Sequence, residues 1–414
     1  MQDAIRSNLH NPRQLEKLYR EDKRAFKRAF DALYPELQGE EVAGFWHERL
    51  HYESEEISWG TGQELGFVLM ASLLAGIIAK LPQLLLLDED FFYPRNIGFI
   101  VFPALAAYFA WKNNLPKGRI AVIGAVTLLG LVYINALPEN NRSDTLALAC
   151  IHLPFLLWAT LGVAFAGDRL GHAEKRLDFL RYNGDLVVMA TVIGIAGVVL
   201  SGITLGLFSL IGANIEKFYL NYVVVFGLAA IPIVGTYLTQ VNPHLVSKVS
   251  PVIARIFSPL VLVMLLAYLV AIIFSGKNPY NNREFLLIFN ALLIGVMAII
   301  FFSVAGTEET ARNRTGTLIL FLLSAVTILV NGIALSAILF RISEWGFTPN
   351  RTAVLGGNIL ILVNLVLVTV RLFRAVSRKD GHAGVGQSIA SFLPVYALWA
   401  VAVVFLFPLL FGFK

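Results

Sequence analysis

Stretches of apolar residues long enough to cross a bilayer recur along most of this chain, from Leu65 to Phe413. Lipid offers no partner for a backbone N–H or C=O, whereas a helix pairs these groups internally, and about 20 helical residues cross about 30 Å of hydrocarbon. The expected fold is therefore an all-α integral membrane protein, a polytopic bundle of about eleven transmembrane helices. The spans read as 65–87, 97–111, 120–137, 145–167, 185–212, 219–240, 256–275, 285–304, 316–340, 353–373 and 388–412. The second is short and holds Pro103, so ten spans with one re-entrant or interfacial segment is the alternative count. With 57% hydrophobic and only 15% charged residues, the chain carries more apolar surface than a soluble core can hide.

Lys and Arg in short connections favour the cytoplasmic side. The connections that would lie on one side hold fifteen and those opposite hold eight, which places the N-terminus in the cytoplasm and the C-terminus outside. This asymmetry accounts for the basic balance without a nucleic-acid partner; no basic stripe interleaved with aromatics is present. Cys150, the single cysteine, falls in the fourth span and excludes a disulfide framework or a thiol metal site.

The chain divides by composition into residues 1–62, a cytoplasmic amphipathic helical extension, and residues 63–414, the transmembrane domain. The first 64 residues hold nine Lys or Arg and thirteen Asp or Glu. Asn11, Pro12 and Gln14 form a helix start, after which Leu15, Leu18, Tyr19, Phe26, Phe30, Leu33 and Tyr34 share a face until Pro35 and Gly39. A second helix near 41–52 sets Val42, Phe45, Trp46 and Leu50 on one side. Two such helices are too short to bury those faces alone, so they would lie on the bilayer, on the chain's own loops or on a cytoplasmic protein partner.

Within that second helix, His47-Glu48-Arg49-Leu50-His51 has the HExxH spacing that sets two imidazoles and a carboxylate on one helical face, as in metal hydrolases. The helix is short and lies outside the spans, so a plain polar face is the stronger reading. The expected assignment is no metal site, no catalytic residue and no cofactor.

Ionisable groups inside a span are expensive and usually functional. Lys80 is the clear case, near Pro82 and the acidic run Asp88, Glu89 and Asp90; it either snorkels to those acids or serves a ligand site. Uncharged polar groups are spread more widely: Asn135, His152, Asn290, Asn331, Asn358 and Asn364 fall in spans as interhelical hydrogen-bond partners or cavity lining. Ile-Leu-Val-Asn occurs at 328–331 and again at 361–364, a weak sign of a repeat. Gly202 and Gly206 form a GxxxG suited to close helix approach, and Pro154, Pro232 and Pro394 suggest broken helices of the kind that expose backbone to ligands.

Two outer loops are densely polar. One contains Arg283. The other sets Arg341 and Arg351 around a turn containing Glu344 and Asn350; two guanidinium groups there suit a phosphate or carboxylate, unless Glu344 pairs with one of them. Ligand-binding candidates are thus Arg341, Glu344, Asn350, Arg351, Arg283 and Lys80.

The segment Trp345-Gly346-Phe347-Thr348-Pro349-Asn350-Arg351, most specifically Gly346 and Thr348 to Arg351, resembles a motif of the bacterial multi-pass membrane family catalogued as domain of unknown function four-one-five-three. The resemblance implies a bacterial inner-membrane protein with a multi-span helical fold, and no catalytic residues. Three functions follow in order: permease-like or lipid and small-solute handling, with membrane lipids as partners; a non-enzymatic scaffold or sensor recruiting a partner through its N-terminal helices; and, distantly, a membrane-linked metal-dependent hydrolase.

Overall fold

The computed structural model describes residues 1–21, 23–37, 39–51, 59–140, 142–210, 214–247, 257–267, 269–270, 283–306, 314–377 and 383–414. Helices dominate, no strand occurs among these residues, and the chain separates into two compact units, Met1–Trp59 and Gly60–Lys414.

The first unit holds four helices: α1 (Gln2–Ser7), α2 (Pro12–Glu21), α3 (Lys23–Leu33) and α4 (Glu41–His51). As anticipated, the Asn11 side chain accepts from the Gln14 N–H, 3.3 Å away. The expectation that these faces need an outside surface is corrected. Ile5, Leu9, Leu15, Phe26, Phe30, Leu33, Ala43, Trp46 and Leu50 bury one another in a core of their own. The added element is α1, unannounced by periodicity over so few residues, which supplies Ile5. Phe45 is the exception on the expected face, at 64% exposed.

In the second unit, α5 (Gly62–Leu85), α6 (Glu89–Lys112), α7 (Lys117–Ala136), α8 (Asp144–Ala166), α9 (Ala173–Leu210) and α10 (Glu216–Val241) come first. They are followed by a short apolar helix α11 (Phe257–Ala267), then α12 (Arg283–Gly306), α13 (Arg314–Trp345), α14 (Pro349–Ser377) and α15 (Gly384–Leu410). Eight helices among the described residues are long and apolar enough to cross a membrane: α5, α7, α8, α9, α10, α13, α14 and α15. Helix α6 has the length but is less apolar, and parts of the seventh and eighth expected spans lie outside the described residues.

Helix starts follow their sequence signals. Thr61 accepts from the Glu64 N–H and Ser143 from the Leu146 N–H, each at 3.2 Å. The expected breaks do not occur: α6 continues through Pro103, α8 through Pro154, α10 through Pro232 and α15 through Pro394. The irregular turns are instead π segments at Tyr219–Val224 and Ala402–Leu406. Neighbouring helices support a proline inside a span, which is why it need not end there. Gly202 faces open space rather than another helix, and the surroundings of Gly206 lie outside the described residues.

The interior forms two principal apolar clusters. One joins α5, α6, α8, α9 and α10 through residues such as Val68, Tyr108, Leu161 and Ile233. The other joins α12, α13 and α14 to α15 through Phe289, Leu323, Leu365 and Ile389. Trp158 of α8 packs against both.

Candidate functional site: an apolar cavity between five helices

Between α8, α9, α12, α14 and α15 lies a cavity of about 550 Å³, within the range of small-molecule sites. Among the described residues no Asp, Glu, Lys or Arg lines it. Its walls are apolar, with Phe155 and Trp158 from α8, Met297 and Phe301 from α12, and Leu393 and Trp399 from α15. Phe155, Val187 and Ile294 are 51%, 57% and 55% exposed, whereas Asn358 and Ala400 across the cavity are buried. The exposed trio marks a mouth on the apolar flank of the bundle.

Five polar side chains interrupt the lining. His152 Nδ1 lies 2.9 Å from the Leu148 carbonyl; a carbonyl only accepts, so Nδ1 carries the proton and Nε2 is the free ring position. Asn183 accepts from Trp158 Nε1 at 2.9 Å and donates to the Phe179 carbonyl at 2.5 Å. The Tyr396 oxygen accepts from Asn364 Nδ2 at 3.0 Å, leaving its own O–H to donate. Asn358 lends its backbone carbonyl to Asn331 Nδ2 at 3.1 Å, while its own Nδ2 has no protein partner. Asn290 Oδ1 also lacks one. Buried amide atoms are almost always paired, but Asn331 Oδ1 and Asn364 Oδ1, outside the lining, are unpaired too, so these orphans do not single out the cavity.

Sequence reading named His152, Asn290 and Asn358 as interhelical partners or cavity lining; they line one cavity. Asn183, Tyr396 and Trp158 were missed. Asn183 follows basic residues that marked a connection, and α9 begins twelve residues earlier than the expected fifth span, at Ala173 rather than residue 185.

The six named ligand candidates do not converge here. Arg351 Nη1 donates to the Trp345 and Gly346 carbonyls, both at 2.8 Å, where α13 ends. Gly346 has φ +73°, the left-handed value that closes a helix, and its N–H reaches the Ile342 carbonyl at 2.8 Å. Thr348 then caps α14 by accepting from the Arg351 N–H at 3.3 Å, with Pro349 at its first position. Arg341 and Arg351 both lie over the Trp345 ring, at 5.9 and 5.6 Å. Trp345, Gly346, Thr348, Pro349 and Arg351 thus each have a stop, start or latch role in a helix–helix corner. Among the described residues Glu344 forms no ion pair, against the expected alternative; Glu344 is exposed and Asn350 half-buried in α14. Helix α12 begins at Arg283, whose side chain lies outside the described residues, as does 278–282.

Lys80 is 2% exposed, but its ammonium hydrogen-bonds Gln83 and sits 4.6 Å over the Tyr222 ring. Gln83 Nε2 in turn meets Glu89 Oε1 at 3.3 Å. Lys80 therefore reaches the acidic run only through Gln83. Asp88 is occupied as the cap of α6, accepting from the Asp90 N–H at 2.9 Å.

Two further charges differ from expectation. Arg95, expected in an outer connection, is buried in α6 and donates to the Ile134 and Leu137 carbonyls, 3.2 and 3.4 Å away, where α7 ends. Glu64 accepts from Tyr108 at 2.5 Å and Lys112 at 2.9 Å, tying the start of α5 to the end of α6. In the first unit, the His47 ring stacks on Tyr34 at 3.7 Å; the His51 side chain lies outside the described residues.

Compared with protein-family models, with curated proteins and with solved structures, the chain matches none.

Proposed function

We propose that this is a lipid-handling or permease-like protein that takes an uncharged, largely apolar ligand into the five-helix cavity from the side, out of the bilayer. The observation that carries this reading is the lining itself. Among the described residues the cavity has no charged side chain to hold an ion or a charged solute, and its mouth is flanked by exposed Phe155, Val187 and Ile294. A polar solute crossing from water would lose its hydration without replacement. An apolar one already in the hydrocarbon loses nothing by moving sideways.

The same proposal takes the chain to cross the membrane eleven times, with residues 1–62 cytoplasmic and the C-terminus outside, in a bacterial inner membrane. The Lys and Arg asymmetry and the Trp345–Arg351 resemblance support it.

Native mass spectrometry of the gently released protein tests the reading. A Cβ at Gly357 meets nothing within 4 Å, and Gly357 lines the cavity, so the side chain of Gly357→Leu starts in open space and takes up cavity volume. The expected result is an apolar adduct on the wild-type chain that Gly357→Leu loses. Identical spectra would sink the proposal.

A second reading, a scaffold that recruits a protein through residues 1–59, is favoured by one feature: Phe45 stays 64% exposed on a unit that has its own core. Loss of a co-purifying chain on Phe45→Ser would support it.

A further inference from the structure

We propose that the first unit docks on the anionic phosphates of the bilayer that its own chain enters, through a basic face of α2 with Phe45 at its edge. This rests on α5 crossing the membrane and is independent of the cavity.

Charge is segregated along this unit. From Arg13 to Arg28 seven bases stand against three acids, and from Asp31 to Glu56 one base stands against eight. Two adjoining hollows on the surface draw on the basic half. Arg13 and Lys17 line the first, Glu41, Phe45 and Arg49 the second, and Glu16 and Arg20 belong to both, so the two are continuous. Together they hold four bases and two acids. Glu16 pairs with Arg20 and with Arg49, each at 2.7 Å, so one carboxylate answers two guanidinium groups. Arg13 and Lys17 are exposed and form no ion pair among the described residues. An excess of positive charge therefore lies open along one face.

Phe45 and the tether favour lipid over other polyanions. The apolar side chains around Phe26 and Trp46 close on one another, yet Phe45 stays 64% exposed at the rim of the basic hollows. A ring beside Lys and Arg suits a bilayer interface, where phosphates overlie hydrocarbon: the bases meet the first and the ring the second. A nucleic acid or an acidic protein also complements the charge, but lipid is brought here by the chain itself. Residues 52–60 join the end of α4 to Thr61, the cap of α5, and a strand of that length reaches at most about 35 Å. The unit is thus held at high effective concentration near the surface. It carries more acid than base as a whole, so orientation decides: at 0.1 M salt charges beyond about 10 Å are largely screened, and the near face sets the sign.

The full chain, with Cys150→Ala and a nitroxide on Gln14→Cys, is placed in nanodiscs of phosphatidylcholine alone or with one third phosphatidylglycerol. Gln14 is uncharged, lines the first hollow and is bonded only through its main-chain N–H. Collision with a neutral nickel chelate in the water reports how open the face is. Accessibility is expected to be at least about three-fold lower with phosphatidylglycerol, since each excess base is worth about five-fold in partitioning to an anionic surface. Salt near 1 M, where the screening length is about 3 Å, should restore it. Arg13→Glu combined with Lys17→Glu should do the same, while Lys17→Arg, which keeps the charge, should leave it low. Phe45→Ser should restore part of it. The salt arm tests the contact without any substitution, so a double variant that fails to fold leaves the proposal testable.

Equal, high accessibility in the two lipids would overturn the proposal. Low accessibility in both would overturn it too, in favour of another polyanion if salt relieves it and of an apolar protein contact if salt does not. A drop with phosphatidylglycerol that persists in high salt and after the double reversal would overturn the headgroup contact and leave the ring as the anchor.

Discussion

Arg351 donates to the main-chain carbonyl of Trp345 at 2.8 Å, and this bond turns the most recognisable peptide in the sequence into a piece of architecture. The last carbonyls of a helix have no partner within it and carry partial negative charge. A guanidinium satisfies two at once, here those of Trp345 and Gly346. Arg351→Ala is expected to destabilise the bundle by about 1–2 kcal/mol through loss of these bonds. Thermal unfolding in detergent measures this. Inorganic phosphate should leave the wild-type transition where it is; a phosphate-dependent rise abolished by Arg351→Ala would show instead that the guanidinium serves as an anion site.

The joint between α5 and α6 makes a second case. Glu64 is 9% exposed and has Tyr108 and Lys112 as its partners. Removing one member of a buried pair costs more than the pair contributed, because the other charge stays behind. Lys112 remains a third exposed, which softens the penalty. Glu64→Ala should therefore cost about 1–3 kcal/mol, and adding Lys112→Met should recover part of it. A double-mutant cycle on thermal unfolding decides; additive losses would mean that the two residues are not coupled.

Much of this was legible in the chain and some was not, for reasons that differ. The apolar runs mark the long helices because lipid demands them. The buried face of α2 to α4 was legible too: Leu15, Phe26, Phe30, Leu33, Trp46 and Leu50 are all interior. Their covering of one another was not, since it depends on how the helices turn back and on α1, too short to show a period. Arg95 was misplaced because a guanidinium near a span edge looks like a loop charge; what buries it is the end of α7, 39 residues away. The cavity was legible only as a scatter of Asn and His. Its lining comes from helices beginning at Asp144, Ala173, Arg283, Pro349 and Gly384, and no local pattern records that these meet.

Acid should weaken the first unit at a definable point. The Arg20 hydrogen bond, with the charges of Arg49 and Arg20 adding and partial desolvation opposing, holds the Glu16 carboxyl below its usual value of 4.5. A carboxyl lowered in the folded state contributes stability that is whole above its unfolded value and is lost as pH falls through its folded one. The contribution of Glu16 should thus be complete above pH 4.5 and decline below it. Arg49 Nη2 lies 2.7 Å from Glu16 and its guanidinium 4.6 Å over the Trp46 ring, so Arg49→Met should move the Glu16 midpoint upward. Carboxyl-carbon NMR titration reads the shift; an unmoved midpoint would mean that the pair is screened out by solvent.

Gly356 offers a test of how tightly the wall of the cavity is built. A Cβ there would stand 2.0 Å from the Trp399 ring, closer than any packed pair allows, so the indole lies directly on the α14 backbone. Trp399 also lines the cavity. Gly356→Ala must therefore displace the ring or part the two helices, at about 1–3 kcal/mol. If the ring moves, the space open to it is the cavity, and ligand capacity falls along with stability. If the helices part, stability falls while capacity is kept. Gly357→Ala is the control, because its Cβ meets nothing within 4 Å, and it should leave stability nearly unchanged. Trp399 emission together with thermal unfolding separates these outcomes, and a fully stable Gly356→Ala with unshifted emission would show that the indole does not rest on Gly356.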